Sequence, residues 1–313
     1  LIVLVSFFPV YIYTRIKPAE EIDLDSIYFY LSMIAGSSIL FLFKSRSSDY
    51  SYWAKLLHTI VFDNYSIAKY LFDIEKRVLL KKGLNAKNEF IIITGLARGG
   101  TTALTNLLFD DRRFHSIRYS NMPFLMAPGL WKKIYNPKTK KVKERAHGDK
   151  VFFGENSIEA FEEYFFKVFL NDAYIEEASL NVHQITEPVY TSYLQYQQFF
   201  REPQMDSLYL AKNNNFILRY QTLRSYNQEF KVFMIFRSPV SHAGSLLKQH
   251  KNFTALQSED PFVKNYMNWL GHYEFGLNHK VFNFNQQQLW QDYKKDTINY
   301  WLAIWINYYQ YVL

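Results

Sequence analysis

Residues 89–108 read EFIIITGLARGGTTALTNLL, a run whose residue types and spacing suit the gripping of an anion. A β-branched apolar strand (Phe90 to Ile93) leads into Gly95, Gly99 and Gly100. Thr101 and Thr102 then stand at the mouth of an apolar-periodic helix carrying Ala103, Leu104, Leu107 and Leu108. Glycines let the backbone approach a ligand, the free N–H groups of a helix start point at it, and the helix dipole favours negative charge. A second strand, turn and helix follow at residues 231–250, KVFMIFRSPVSHAGSLLKQH, with Arg237 just past the strand and Ser245 on the helix. Each segment also has a plain alternative. Gly-Gly permits a tight turn before a core helix, and Arg237 and Ser245 fit a strand end and a polar helix face.

The spacing Gly95-x4-Gly100 resembles a P-loop, in which Lys and then Ser or Thr follow the second glycine. Thr101 stands where that lysine belongs, and the cation sits earlier, at Arg98. Without the lysine that reaches β- and γ-phosphates, nucleoside triphosphate hydrolysis is not expected, and the loop suits a phosphate–sulfate group. The run resembles the 5′-phosphosulfate loop of sulfotransferases that use 3′-phosphoadenosine 5′-phosphosulfate. Members of that family carry an Arg after a strand and a Ser eight residues later, which together bind the 3′-phosphate; Arg237 and Ser245 match both spacing and context.

The resemblance extends to bacterial-type sulfotransferases over about residues 89–312. It is carried by Tyr119-Ser120-Asn121-Met122-Pro123-Phe124, Glu144 to Asp149 (ERAHGD), Lys212-Asn213-Asn214, and Phe236 to Phe253. It departs at Asn121, where the pattern has Asp. If that carboxylate is the base in relatives, this chain is impaired or uses another residue.

The resemblance implies sulfuryl transfer, in which the protein positions donor and acceptor and neutralises charge on the transferred group. Arg98 matches the loop cation beside the leaving phosphate, while Gly99, Gly100, Thr101 and Thr102 supply N–H and hydroxyl donors. Arg237 and Ser245 hold the 3′-phosphate. Lys212 is a second cation candidate, or an ordinary loop lysine. Family members use His or a carboxylate as general base. His147 is the first candidate, since imidazole titrates near neutral pH and Asp149 stands close enough in sequence to orient it. Glu162 or Glu163 is the runner-up and His115 the third. His242 and His250 lie on the helix of the 3′-phosphate motif and suit packing or nucleotide contacts. His183, His272 and His279 are too scattered for a metal site, and no HExxH spacing occurs, so no metal is expected.

Composition bounds the remaining choices. With 313 residues and 49% apolar content the chain supports one large domain. It has no cysteine, which excludes disulfides, zinc–thiolate sites and a cysteine nucleophile. A net charge of +7 suits an anionic nucleotide. The basic residues are scattered, and nucleic-acid binding is not expected. Tyr (25) and Phe (28) are abundant, which fits compositional bias better than a sugar-stacking surface.

Residues 1–14 are uncharged, and 26–43 form a run of 18 uncharged residues, just long enough for a helix to cross a hydrocarbon core. Lys44 and Arg46 follow the second run and favour a cytoplasmic end there; Arg15 and Lys17 pull the other way. Two packed or interfacial helices are the alternative. Residues 50–82 read as an amphipathic helical region ending at Gly83. Residues 132–150, with five lysines in 132–141, read as a loop over the site. Asn156-Ser157-x-Glu159 reads as a capping box opening a helix over 156–170. Residues 189–204 read as helical, Leu208 to Ala211 and Val232 to Phe236 as strands, and 252–266 as loop followed by a helix around 263–270. The chain starts with Leu and ends inside an apolar-periodic helix (Tyr300 to Leu313), which reads as a fragment.

The expected fold is α/β, a three-layer P-loop-like parallel sheet flanked by helices, with an N-terminal membrane-associated helical segment. Residues 1–48 form the anchoring hairpin, 49–88 a helical lead-in, and 89–313 the catalytic domain. The expected activity moves sulfate from 3′-phosphoadenosine 5′-phosphosulfate to a carbohydrate or lipid-linked hydroxyl or amine, at a membrane and on its cytoplasmic side. A magnesium-dependent P-loop protein and an inactive membrane scaffold of the same fold are the competing readings.

Overall fold

A strand of five residues, Phe90–Thr94 (β1), organises the fold because it is apolar on both faces. Such a run needs cover above and below, which is the condition of an interior parallel strand. The computed structural model describes residues 52–313 apart from 82, 84, 111, 136–142, 145–151, 154–156 and 203–204. The calls that fall on residues 1–51, and on His147 and Asp149, lie outside them.

The element order is α1 (Tyr52–Phe62), α2 (Tyr65–Lys81), β1, α3 (Thr101–Leu108), β2 (Phe114–His115), a 3-10 turn (Tyr119–Asn121), α4 (Pro128–Ile134), β3 (Lys143–Glu144), β4 (Phe152–Phe153) and α5 (Glu163–Leu170). Then come β5 (Ser179–Asn181), α6 (Glu187–Gln198), β6 (Leu208–Lys212), a second 3-10 turn (Phe216–Arg219), α7 (Tyr220–Tyr226), β7 (Lys231–Met234), α8 (Pro239–Glu259), α9 (Pro261–Trp269), β8 (Val281–Asn283) and α10 (Ile298–Val312). The main sheet is parallel, in the order β2-β6-β1-β7. Ile93 of β1 faces Lys212 of β6, and Thr94 faces Met234 of β7. Two short pairs stand apart, β3 with β4 and β5 with β8.

Alternate residues of β1 serve different cores. Phe90 and Ile92 join the large core with Phe72 of α2, Phe165 of α5 and Tyr193 of α6. Ile93 packs with Leu210 and Phe114, against Leu104 and Leu108 of α3. Each such fully buried side chain contributes about 1.5–3 kcal/mol. A further core joins α8 (Ala243, Leu246, Phe253) to α10 (Trp301, Ile304, Tyr308), and Leu96 and Ala97 of the loop after β1 belong to it. Residues Lys55–Leu313 form one compact unit.

Several elements differ from the sequence reading. The amphipathic region at 50–82 is two helices, because Asn64 accepts from the Ile67 N–H at 3.1 Å and starts a new one. The helix expected from 156 begins only at Glu163; Ile158 instead bridges Arg118. Helix α8 runs to Glu259 through residues read as loop, because Phe253 and Gln257 continue its buried face. No helix among the described residues is long and apolar enough to cross a membrane.

Candidate functional site

The loop between β1 and α3 is held by backbone geometry that glycine makes accessible. Gly95 has φ 141°, and a Cβ there would lie 2.5 Å from the Ile235 carbonyl oxygen. The approach is that close because the Ile235 N–H donates to Thr94 O at 3.0 Å, which extends β7 alongside the turn. Gly100 has φ 111° and opens α3; a Cβ there would meet nothing within 4 Å, so the turn is open on that side. Between them Arg98 takes a left-handed φ of 69°, a conformation that costs a non-glycine residue about 1–3 kcal/mol. Two bonds hold it there: Gly99 N–H to Leu96 O at 3.1 Å, and the His242 Nε2–H to Ala97 O at 2.7 Å. The first N–H groups of α3 have no acceptor within the helix and point out of its N-terminus.

Three adjacent strands deliver side chains to this carboxyl edge of the sheet. Lys212 ends β6 and is 7% exposed; its Nζ donates to Thr102 Oγ1 at 2.8 Å and lies 3.7 Å from Glu159 Oε2. Thr101 and Thr102 open α3 after β1. Arg237 follows β7 and is exposed. Burial pushes the pKa of His242 down, and the charges of Arg237 and Arg98 push it further, so both guanidinium groups act on one fully buried imidazole. Ser245 lies three residues beyond His242 on α8, hence on the same helix face, and is half-buried. The structure therefore gathers Arg98, Gly99, Gly100, Thr101, Thr102 and Lys212 in one turn region, and ties the Arg237–Ser245 segment to it through His242.

The base candidates fare differently. Glu162 is 0% exposed, accepting from Tyr209 Oη at 2.8 Å and Asn213 Nδ2 at 3.0 Å; burial raises its pKa more than those bonds lower it. That enclosure counts against Glu162 as the base. Glu163 is equally enclosed, paired with Arg219 at 2.6 and 2.8 Å. The cause is that α5 is buried nearly all round, from Glu163 through Val168, so helical period could not assign it a wet face. His115 lies on β2 opposite Tyr209, towards the start of β6 and away from Lys212. Its Nδ1 lies 2.9 Å from Ser207 Oγ, and burial pushes its pKa down to about 3. Asn121 accepts the Arg118 N–H at 2.7 Å and caps its own turn.

Sequence reasoning missed Glu159, which it took as a capping residue, because only tertiary structure brings it to Lys212. It also missed the pairing of His272 Nδ1 with Glu274 Oε1 at 3.4 Å, joined to the turn after Lys212 by Asn214 Nδ2 at 3.0 Å. Among the described residues no group of three or more His, Asp or Glu side chains could hold a metal ion.

No family model matches the chain, and no curated protein matches its sequence. Two solved structures are similar to it. One is the sulfotransferase STF1 of Mycobacterium tuberculosis, at 11% identity over 72% of this chain and 78% of that one, with a TM-score of 0.41. The other is the sulfotransferase STF9 of Mycobacterium avium, at 11% identity over 93% and 89% of the two chains, with a TM-score of 0.39.

Proposed function

We propose that this chain is a sulfotransferase that moves the sulfuryl group of 3′-phosphoadenosine 5′-phosphosulfate to a hydroxyl or amine of a carbohydrate or lipid-linked acceptor. The observation that carries this reading is the joining of the two turns that follow the adjacent parallel strands β1 and β7 by the His242–Ala97 bond. One nucleotide with phosphate groups at both ends suits two such turns.

In this reading the N–H groups at Gly99 to Thr102 and the Arg98 guanidinium hold the 5′-phosphosulfate end. Arg98 offsets the charge that grows on the departing phosphate, the kind of term that dominates transfer reactions of this type. Arg237 and Ser245 hold the 3′-phosphate. In nucleotide-hydrolysing P-loops the hydroxyl at the position of Thr102 binds magnesium. Here that hydroxyl accepts from the Lys212 ammonium, which suits a site whose cationic work is done by side chains. Membrane attachment through residues 1–48, with the catalytic unit on the cytoplasmic side, rests on hydropathy and flanking charge alone.

The direct test is transfer of radiolabelled sulfate from the donor to a panel of glycans and lipid-linked hydroxyls. Labelled product is expected with at least one acceptor. Nucleotide binding with no turnover on any of them supports the inactive scaffold instead.

A further inference from the structure

The turn after β6 carries a histidine–carboxylate pair that no step above uses. The Asn213 N–H donates to Ile93 O at 3.0 Å, so this turn leaves the sheet level with the end of β1. Asn214 stands two residues past Lys212, at most about 7 Å of chain. Its Nδ2 donates to Glu274 Oε1 at 3.0 Å, and Asn215 Nδ2 donates to Gly271 O at 2.9 Å. His272 Nδ1 lies 3.4 Å from that same Glu274 oxygen. The two side chains differ in access: Glu274 is sheltered, at 10% exposed, and His272 is reachable, at 26%. The backbone of His272 is held from both sides, its N–H donating to Met267 O at 2.9 Å and its carbonyl accepting from Asn278 Nδ2 at 3.0 Å. Gly271 before it has φ 72°, and a Cβ there would lie 2.5 Å from Glu163 Cγ, so the segment is seated closely on α5. The asparagine bonds already fix this segment, which leaves the imidazole over for another use. Its Nε2 makes no hydrogen bond among the described residues.

We propose that His272 is the base that receives the acceptor's proton, at Nε2, and that Glu274 and Asn214 position it. The inference rests on the sulfotransferase reading. An Nδ1 that faces a carboxylate carries the ring proton, which leaves the Nε2 lone pair free to act; the carboxylate also stabilises the imidazolium once it forms. Burial raises the pKa of Glu274, but the imidazole charge and the bonds from His272 and Asn214 outweigh it and hold the carboxyl below its usual range. At 3.4 Å the pair is loose, and charge on the ring shortens such a bond. The acceptor O–H or N–H proton passes to Nε2 while the acceptor's electron pair forms the new bond to sulfur. The S–O bond to the 5′-phosphate breaks with its pair left on the phosphate oxygen, the end that Arg98 holds on this reading.

The test uses the full chain and two readouts. Binding is followed by titration with 3′-phosphoadenosine 5′-phosphate. Chemistry is followed as labelled sulfate transferred from the donor to the glycan and lipid-linked panel, and as sulfate released to water. His272→Ala is expected to bind the nucleotide within about threefold of wild type while the rate falls by about 100-fold or more, the usual share of a general base. Added imidazole is expected to restore part of that rate, a rescue that a merely structural role does not give. Glu274→Gln is expected to lower kcat by about tenfold or more, and the double variant to be no slower than His272→Ala alone, because the carboxylate acts only through the ring. A His272→Ala rate within about threefold of wild type, no rescue by imidazole, or a nucleotide affinity that falls as far as the rate overturns the assignment of His272. A double variant slower than His272→Ala by about tenfold overturns the positioning role of Glu274. Failure of the wild-type chain to bind the nucleotide overturns the sulfotransferase reading itself.

Discussion

The His242 Nε2–H donates to the Ala97 carbonyl oxygen at 2.7 Å, fastening the first turn of α8 to the loop after β1, 145 positions earlier in the chain. One buried imidazole thus joins two turns that are far apart in sequence. Replacing it tests that coupling. His242→Ala is expected to cost about 0.5–1.5 kcal/mol of stability from the bond alone. It is also expected to weaken 3′-phosphoadenosine 5′-phosphate binding by about tenfold, or ~1.4 kcal/mol, as the turns lose their mutual register. Chemical denaturation and calorimetric titration measure the two effects; unchanged affinity means that the turns are positioned independently.

The two arginines are expected to separate in kinetics. On the proposed reading Arg98 lies beside the departing phosphate, and Arg98→Ala is expected to lower kcat by about 100- to 1000-fold. On the same reading Arg237 makes a charge-assisted bond to the 3′-phosphate, worth about 1.5–3 kcal/mol, and Arg237→Ala is expected to weaken nucleotide affinity by roughly 10- to 100-fold. If both variants kept wild-type affinity and turnover, neither guanidinium would face the nucleotide.

Glycine substitutions probe the cradle from the backbone side. Gly95→Ala places a Cβ 2.5 Å from the Ile235 carbonyl oxygen, at a φ of 141°, and backbone on both sides leaves little room to yield. A loss of more than about 4 kcal/mol is expected. Gly100→Ala meets no atom within 4 Å and suffers only the left-handed φ of 111°, so about 1–3 kcal/mol is expected. Equal losses in the two variants would contradict the packing of β7 against the loop.

The strand–turn–helix units were legible in the sequence because their signals are local. β1 is a continuous apolar run, the glycines punctuate it, and α3 follows at helical period. Long-range pairings were not legible. Asn156 to Glu159 carries a capping signature in the sequence, yet Ile158 bridges Arg118 and Glu159 lies beside Lys212. Glu162 looked as available as any helix carboxylate until α5 proved buried nearly all round. The Lys212–Thr102 bond spans 110 positions, and no spacing rule reaches that far.

Acid is expected to unfold the protein before its carboxylates titrate. Burial holds the pKa of His115 and His279 down to about 3 and that of His183 to about 4, and nearby cations add to the effect. The unfolded chain takes up these protons near pH ~6.5, while the folded chain resists them. Their stabilising effect is therefore complete above pH ~6.5 and declines as pH falls towards 4 and below. The unfolding temperature is expected to drop between pH 7 and 5, and less steeply in the double variant His115→Gln, His279→Gln. A flat profile over that range would mean that these imidazoles are open to protonation in the folded state.

The central claim is that one adenosine bisphosphate occupies both turns without a metal. Calorimetric titration of the full chain with 3′-phosphoadenosine 5′-phosphate in EDTA tests it most directly. Saturable one-to-one binding, unchanged by added magnesium and weakened roughly 10- to 100-fold by Arg237→Ala, is the predicted result. Absence of binding, or binding of ATP that depends on magnesium, would contradict it.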